Sequence, residues 1–190
     1  MDNILFVDSA ARKDSRTRVL CRHLLERLDG NVTHLTLNDA EIPSLTEELI
    51  DFRAECSARG DFSDAIFDYA RQFKDADTIV ICAPFWDGSF PAVLKKYIES
   101  LCVTGLTFYY TDEGVPRGLC KAKRLFYVTT AGGPIYDDFF GYGYIKSLAG
   151  NMFGIEKTYF VKAENLDIDT SDADAIMRCA FRAVDEMTIL

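Results

Sequence analysis

The sequence predicts an α/β fold: a doubly wound, five-stranded parallel sheet with helices on both faces. Three observations predict it. Strand-like and helix-like segments alternate five times along 190 residues, and parallel neighbours need crossover helices, which are right-handed. Residues 78–83 (TIVICA) are almost wholly apolar and β-branched, the mark of a strand covered on both faces. No repeat, linker or low-complexity tract interrupts the pattern, so the whole chain 1–190 reads as one domain of ordinary size.

The elements follow in order. Residues 3–8 (NILFVD) form a first strand, and 15–28 a helix with Val19, Leu20, Leu24, Leu25 and Leu28 on one face. Residues 31–37 alternate as a second strand. Thr46 opens a helix over 46–57 as its cap, and 64–73 is another helix. After the strand at 78–83 and Pro84, a helix runs from Pro91 to Leu101, with proline suited to its first turn. Residues 108–116 read as a hairpin or protruding loop turning at Glu113-Gly114. The remaining elements are a strand at 124–130, a helix at 143–152, a strand at 157–162 and a closing helix at 173–187.

Composition narrows the chemistry. With 21 Lys+Arg against 30 Asp+Glu the net charge is −9, which opposes a grip on nucleic acid. No apolar run reaches the ~18 residues needed to span a bilayer, and Met1-Asp2-Asn3 does not open a signal peptide, so a cytoplasmic protein is expected. The six cysteines never stand closer than 18 residues apart, which excludes a Cys-x-x-Cys metal or redox pair. Two histidines leave little material for a His-built metal site or a Ser-His-Asp triad. No metal site and no side-chain nucleophile are expected.

In sheets of this kind ligands bind beyond the carboxyl ends of the strands, where strand order reverses. The loops in question are 9–14, 84–90, 131–142 and 163–169. The first lacks both Gly-x-Gly-x-x-Gly and Gly-Lys-Ser/Thr. It instead sets Ser9, Ser15 and Thr17, with Arg12 and Arg16, around a helix N-terminus, where free N–H groups favour an anion such as a terminal phosphate. Ser15 also reads as a plain helix cap. Pro84-Phe85-Trp86-Asp87-Gly88 places aromatic surface beside a small, flexible pair, suiting a planar ring, although Trp86 also reads as ordinary core. Thr130-Ala131-Gly132-Gly133 lets backbone donors approach ring carbonyls closely, and Gly-Gly-Pro is equally a plain turn.

Taken together, Ser9 with Ser15-Arg16-Thr17, residues 83–87 with 91–98, residues 105–114 and Thr129-Thr-Ala-Gly-Gly133 resemble the flavodoxin-like, FMN-dependent NAD(P)H:quinone oxidoreductases of the azoreductase type. The resemblance covers nearly the whole chain. It implies FMN, with its phosphate against Ser9, Ser15, Arg16 and Thr17, its reactive edge along Pro84, Phe85, Trp86 and Asp87, and its pyrimidine edge near Thr130, Ala131, Gly132 and Gly133. It also implies NADH or NADPH as co-substrate, a quinone or azo-type acceptor, and a homodimer in which Phe108-Tyr109-Tyr110 forms a dimer or site wall. Main-chain N–H groups around Trp86 and Asp87 would face flavin N5, and the flavin itself would perform ping-pong hydride transfer. Asp87 stands where relatives often carry Asn, Gly88 and Lys162 where they carry aromatics, and Ala131 where some carry a basic residue.

Other readings use the same parts. An electron carrier or a flavin reductase differs only in whether a second substrate enters, and a catalytically idle scaffold would hold no flavin. A phosphoacceptor signalling module would use Asp8, Thr130 and Lys162 at their strand ends and Asp87, although Asp87 lies four residues beyond the end of its strand at Ala83.

Overall fold

The computed structural model describes residues 1–189. Its strands are β1 (Asp2–Asp8), β2 (Gly30–Thr36), β3 (Thr78–Cys82), β4 (Phe108–Tyr110), β5 (Pro116–Gly118), β6 (Arg124–Thr130) and β7 (Lys157–Ala163). Its helices are α1 (Arg16–Leu25), α2 (Glu47–Arg59), α3 (Asp68–Asp75), α4 (Ala92–Leu101), α5 (Tyr144–Leu148) and α6 (Ala173–Glu186). Five strands make one parallel sheet in the order β2-β1-β3-β6-β7. From β1 the chain steps outward to β2, then returns past β1 to β3 and continues the other way. The order therefore reverses between β1 and β3, the switch point of a doubly wound sheet.

Alternation along the central strands divides the core in two. Leu5, Val7, Ile79, Ile81, Leu125 and Tyr127 point to one face and pack with Phe73 of α3, with Leu94, Tyr97 and Ile98 of α4, and with Ile145 of α5. Ile4, Phe6, Val80, Cys82, Phe126 and Val128 point to the other and meet Leu20, Cys21 and Leu24 of α1 and Met177, Ala180 and Val184 of α6. Every residue of β3 is buried, as its uniform apolar run predicts.

Boundaries shift where local chemistry decides them. The first helix ends at Leu25, short of the expected Leu28, and Arg27 and Leu28 fold into tight turns on Leu24 and Leu25. Thr46 caps α2 through Leu49 N–H at 3.3 Å. Residues 64–73 split into a short 3₁₀ turn, capped by the Asp64 carboxylate on Ile66 N–H, and α3. Pro91 precedes α4 as its N-cap, outside the first turn where the sequence places it. The helix expected at 143–152 is one regular stretch, α5, between two wide turns at Phe139–Gly143 and Ala149–Phe153.

The expected hairpin is present as antiparallel β4 and β5, turning through Gly114 at φ +75°. Phe108 is buried rather than protruding, and only Tyr109 and Tyr110 of that trio face outward. At the arm's other end the backbones touch. A Cβ on Gly118 would lie 2.0 Å from the Phe153 carbonyl carbon and 2.1 Å from the Gly154 nitrogen, so only glycine fits.

Candidate active site

Four loops leave the carboxyl end of the sheet on either side of the switch point and enclose one cavity of about 610 Å³. That volume falls within the roughly 300–1,000 Å³ typical of small-molecule sites. Residues 11–17 supply one wall, 84–87 a second, 130–132 a third, and Leu166 with Asp167 the fourth.

The first wall depends on a buried ion pair. Asp8 ends β1 with no solvent exposure, accepts Ala10 N–H at 2.9 Å, and pairs with Arg18 of α1. Burying a lone carboxylate is costly, so the counter-charge is obligatory. The Asp8 carboxylate holds the Arg18 guanidinium above its ordinary pKa, chiefly through their hydrogen bond. Arg18 also donates to the carbonyls of Ala10 at 2.6 Å, Arg12 at 2.7 Å and Lys13 at 2.9 Å. His34 on β2, stacked on Phe6 at 4.5 Å, places Nε2 3.3 Å from Asp8 Oδ2.

Ser15 is both cap and wall: its hydroxyl faces Arg18 N–H at 3.4 Å and it lines the cavity. Thr17 lines it too and meets Thr130 across the switch point, Oγ1 to Oγ1, at 2.6 Å. Arg16 reaches over to Asp167 Oδ1 at 2.7 Å and Leu166 O at 3.2 Å. Ser9 lies behind this wall, where its fully buried hydroxyl donates to Cys82 O at 2.7 Å.

In the second wall, Phe85 N–H extends the sheet by donating to Thr130 O at 3.0 Å. Trp86 and Ser89 exchange both backbone hydrogen bonds at 2.9 Å, closing a two-residue turn with Asp87 at φ +51° and Gly88 at φ +81°. Positive φ at both central positions is what a type I′ turn requires, and Asp-Gly is among its preferred pairs. Trp86 is 41% exposed, which rejects the reading of it as core. Its N–H is committed to Ser89 O, a correction to the expectation that the N–H groups around both Trp86 and Asp87 face a ligand; of the two, that of Asp87 has no protein acceptor among the described residues.

The third wall is stitched to the fourth. Asn165 N–H donates to Gly133 O at 3.1 Å, Leu166 N–H to Ala131 O at 3.2 Å and Asp167 N–H to Gly132 O at 2.9 Å. Glu164 accepts Ile135 N–H at 2.9 Å and Lys162 Nζ at 3.0 Å, and these bonds outweigh partial burial to hold its carboxyl below the usual range. The N–H groups of Gly132 and Gly133 have no protein acceptors among the described residues. A Cβ on Gly132 would lie 2.5 Å from Asp167 Oδ2, whereas one on Gly133 would meet nothing within 4 Å. Gly133 stands just outside the cavity lining.

Most of the predicted site residues therefore converge, and Ser9 and Gly133 stand one layer back. Sequence reasoning assigned no role to Asp167 or Arg18. Asp167 lies in a loop flagged by strand order alone, and Arg18 was signalled by a carboxylate that follows the apolar run of residues 4–7, which demands a nearby cation. The phosphoacceptor reading fails on the same pair: Asp8 is sealed against Arg18, and Lys162 is engaged with Glu164.

A sheet wound in this order, with its loops around one cavity at the reversal, defines a flavodoxin-type protein. The chain belongs to the flavodoxin-like fold family, matched over residues 2–187. It is 34% identical over 190 residues to the FMN-dependent NADH:quinone oxidoreductase 2 of Clostridium acetobutylicum, covering 94% of each chain. Among solved structures, the azoreductase of Bacillus anthracis Sterne superposes with a TM-score of 0.83 at 25% identity over 97% of each chain. An FMN-dependent NADH-azoreductase of the B. anthracis Ames Ancestor, solved with FMN, shares the fold at a TM-score of 0.81 and 22% identity, covering 98% of this chain and 97% of that one.

Proposed function

We infer that the protein is an FMN-dependent NADH:quinone oxidoreductase of the azoreductase type. One observation carries this reading: hydroxyls and a helix N-terminus, an exposed indole on a tight turn, and Gly132 with its free N–H all border a single cavity at the switch point, with Gly133 just behind it. Those donors fit FMN. The amino end of α1, with Ser15 and Thr17, suits a phosphate. The free N–H of Asp87 suits a ring nitrogen, and those of Gly132 and Gly133 suit carbonyl oxygens at the opposite edge.

FMN bound there would supply two-electron hydride chemistry between NADH and a quinone or azo-type acceptor. The protein's contribution is placement. The Trp86–Ser89 turn fixes where Asp87 N–H points, the Thr17–Thr130 contact sets the distance between the phosphate end and the glycine end, and Trp86 offers a face against which planar substrates stack. No side-chain acid or nucleophile is required.

The reading includes a homodimer, supported by the aromatic side chains Phe139 and Phe140 left exposed near the Trp86–Ser89 turn, with Ser89 Oγ donating to Phe140 O at 2.6 Å. A cytoplasmic setting is supported by six cysteines that are all free thiols. The test is the visible spectrum of purified protein, with FMN added if needed, followed by anaerobic NADH and then a quinone. Flavin absorbance near ~450 nm that bleaches with NADH and returns with quinone is the expected result. Protein that binds no FMN would overturn the reading, and bleaching with no response to quinone would identify a flavin reductase.

A further inference from the structure

The geometry points to Arg18 as the positioning residue that shapes residues 10–13 into a phosphate-accepting loop, and so sets the preference for a phosphorylated flavin over an unphosphorylated one. The inference rests on the FMN reading above and concerns a side chain that lies outside the cavity lining.

A loop can offer its N–H groups to an anion only if its carbonyls are turned elsewhere, because adjacent carbonyl oxygens would repel the same anion. Here a single guanidinium collects them. Arg18 donates through its two terminal nitrogens to the carbonyls of Ala10, Arg12 and Lys13, and through Nε to Asp8. The Ser9 carbonyl faces the Asn38 amide at 3.4 Å. The N–H groups of Ala11, Arg12, Lys13, Asp14, Arg16 and Thr17 have no protein acceptor among the described residues, and Ala11, Arg12, Ser15 and Thr17 border the cavity.

Arg18 is itself nearly buried, with its side chain 12% exposed, and its charge is matched by Asp8. Its role is therefore shape rather than direct attraction. The planar fork is essential to that role: lysine carries the same charge but cannot span three carbonyls and a carboxylate in fixed directions. Arg18 is thus distinct from Arg16, whose guanidinium crosses the cavity rim to Asp167.

The test compares FMN with riboflavin, which differ only by the phosphate. Apo-protein would be titrated with each flavin and the two dissociation constants measured by quenching of flavin fluorescence, for wild type, Arg18→Lys and Arg18→Met. Both variants should lose on the order of tenfold to a hundredfold in FMN affinity, the equivalent of one or two charge-assisted hydrogen bonds. Riboflavin affinity should stay within about threefold, so that the ratio of the two constants collapses.

Arg18→Met removes the arginine counter-charge of buried Asp8 and leaves it only the His34 contact, so a double variant, Asp8→Asn with Arg18→Met, separates stability from loop shape. It should unfold at a higher temperature than Arg18→Met alone and still fail to prefer FMN. An FMN-to-riboflavin ratio that stays at the wild-type value in folded variants, or equal losses for both flavins, would overturn the role of Arg18 while leaving the cofactor reading intact. Wild-type protein that binds neither flavin would overturn both.

Discussion

Asp87 is the residue whose chemistry sits least comfortably in the site. It takes φ +51° in the turn, a conformation that Asn and Asp tolerate better than most side chains, so the backbone explains a short polar residue there but not a charged one. Its carboxylate is exposed and has no ionic or hydrogen-bond partner among the described residues. A fixed negative charge beside a ring that gains electrons opposes their arrival. Asp87→Asn keeps the turn and removes the charge, so we expect the midpoint potential of the bound flavin to rise by about 30 mV, equivalent to ~1.4 kcal/mol for two electrons. Anaerobic titration against a dye of known potential measures it, and an unchanged or lower potential would place the carboxylate away from the ring.

At the scale of elements, the walls are rigid where strands extend into them and depend on single side chains where they do not. Glu164 ties the end of β7 to Ile135 beyond the glycine pair. Its carboxyl pKa is lowered in the folded state, so the stability it contributes is complete above the unfolded value of about 4.3 and is lost as pH falls through the lower folded value. We expect urea unfolding midpoints between pH 3 and 6 to fall more steeply with acid in wild type than in Glu164→Gln. The difference should be under about 1 kcal/mol because the side chain is partly solvated. Elements with a strong local signal were legible in the sequence: β3 from its apolar run, α2 from Thr46, and the hydroxyls of α1 from their place after a strand. The stitching of residues 165–167 onto 131–133 was not legible, because those are backbone bonds between segments that carry no pairing pattern of their own. Ser9 was legible as a hydroxyl in the right loop, but its claim by the Cys82 carbonyl depends on a neighbouring strand 73 residues away.

For the molecule as a whole, the cavity joins both halves of the winding. Its walls come from β1 and α1 on one side of the reversal and from β3, β6 and β7 on the other, so a ligand bound there bridges segments that must all be folded. Saturating FMN should therefore stabilise the entire domain rather than one loop. At a free concentration of a hundred times Kd the gain is about 2.7 kcal/mol, which for a chain of this size raises Tm by roughly 5–11 °C. Differential scanning fluorimetry with and without FMN tests this, and a shift confined to local probes, with no change in Tm, would count against a cofactor that spans the switch point.

The contact of Gly118 with Phe153 and Gly154 bears on the mobility of the two-stranded arm. Because main chain rests on main chain at that point, the arm is held at its root. Amide hydrogens of Arg117 and Gly118 should exchange with deuterium as slowly as those of the regular sheet.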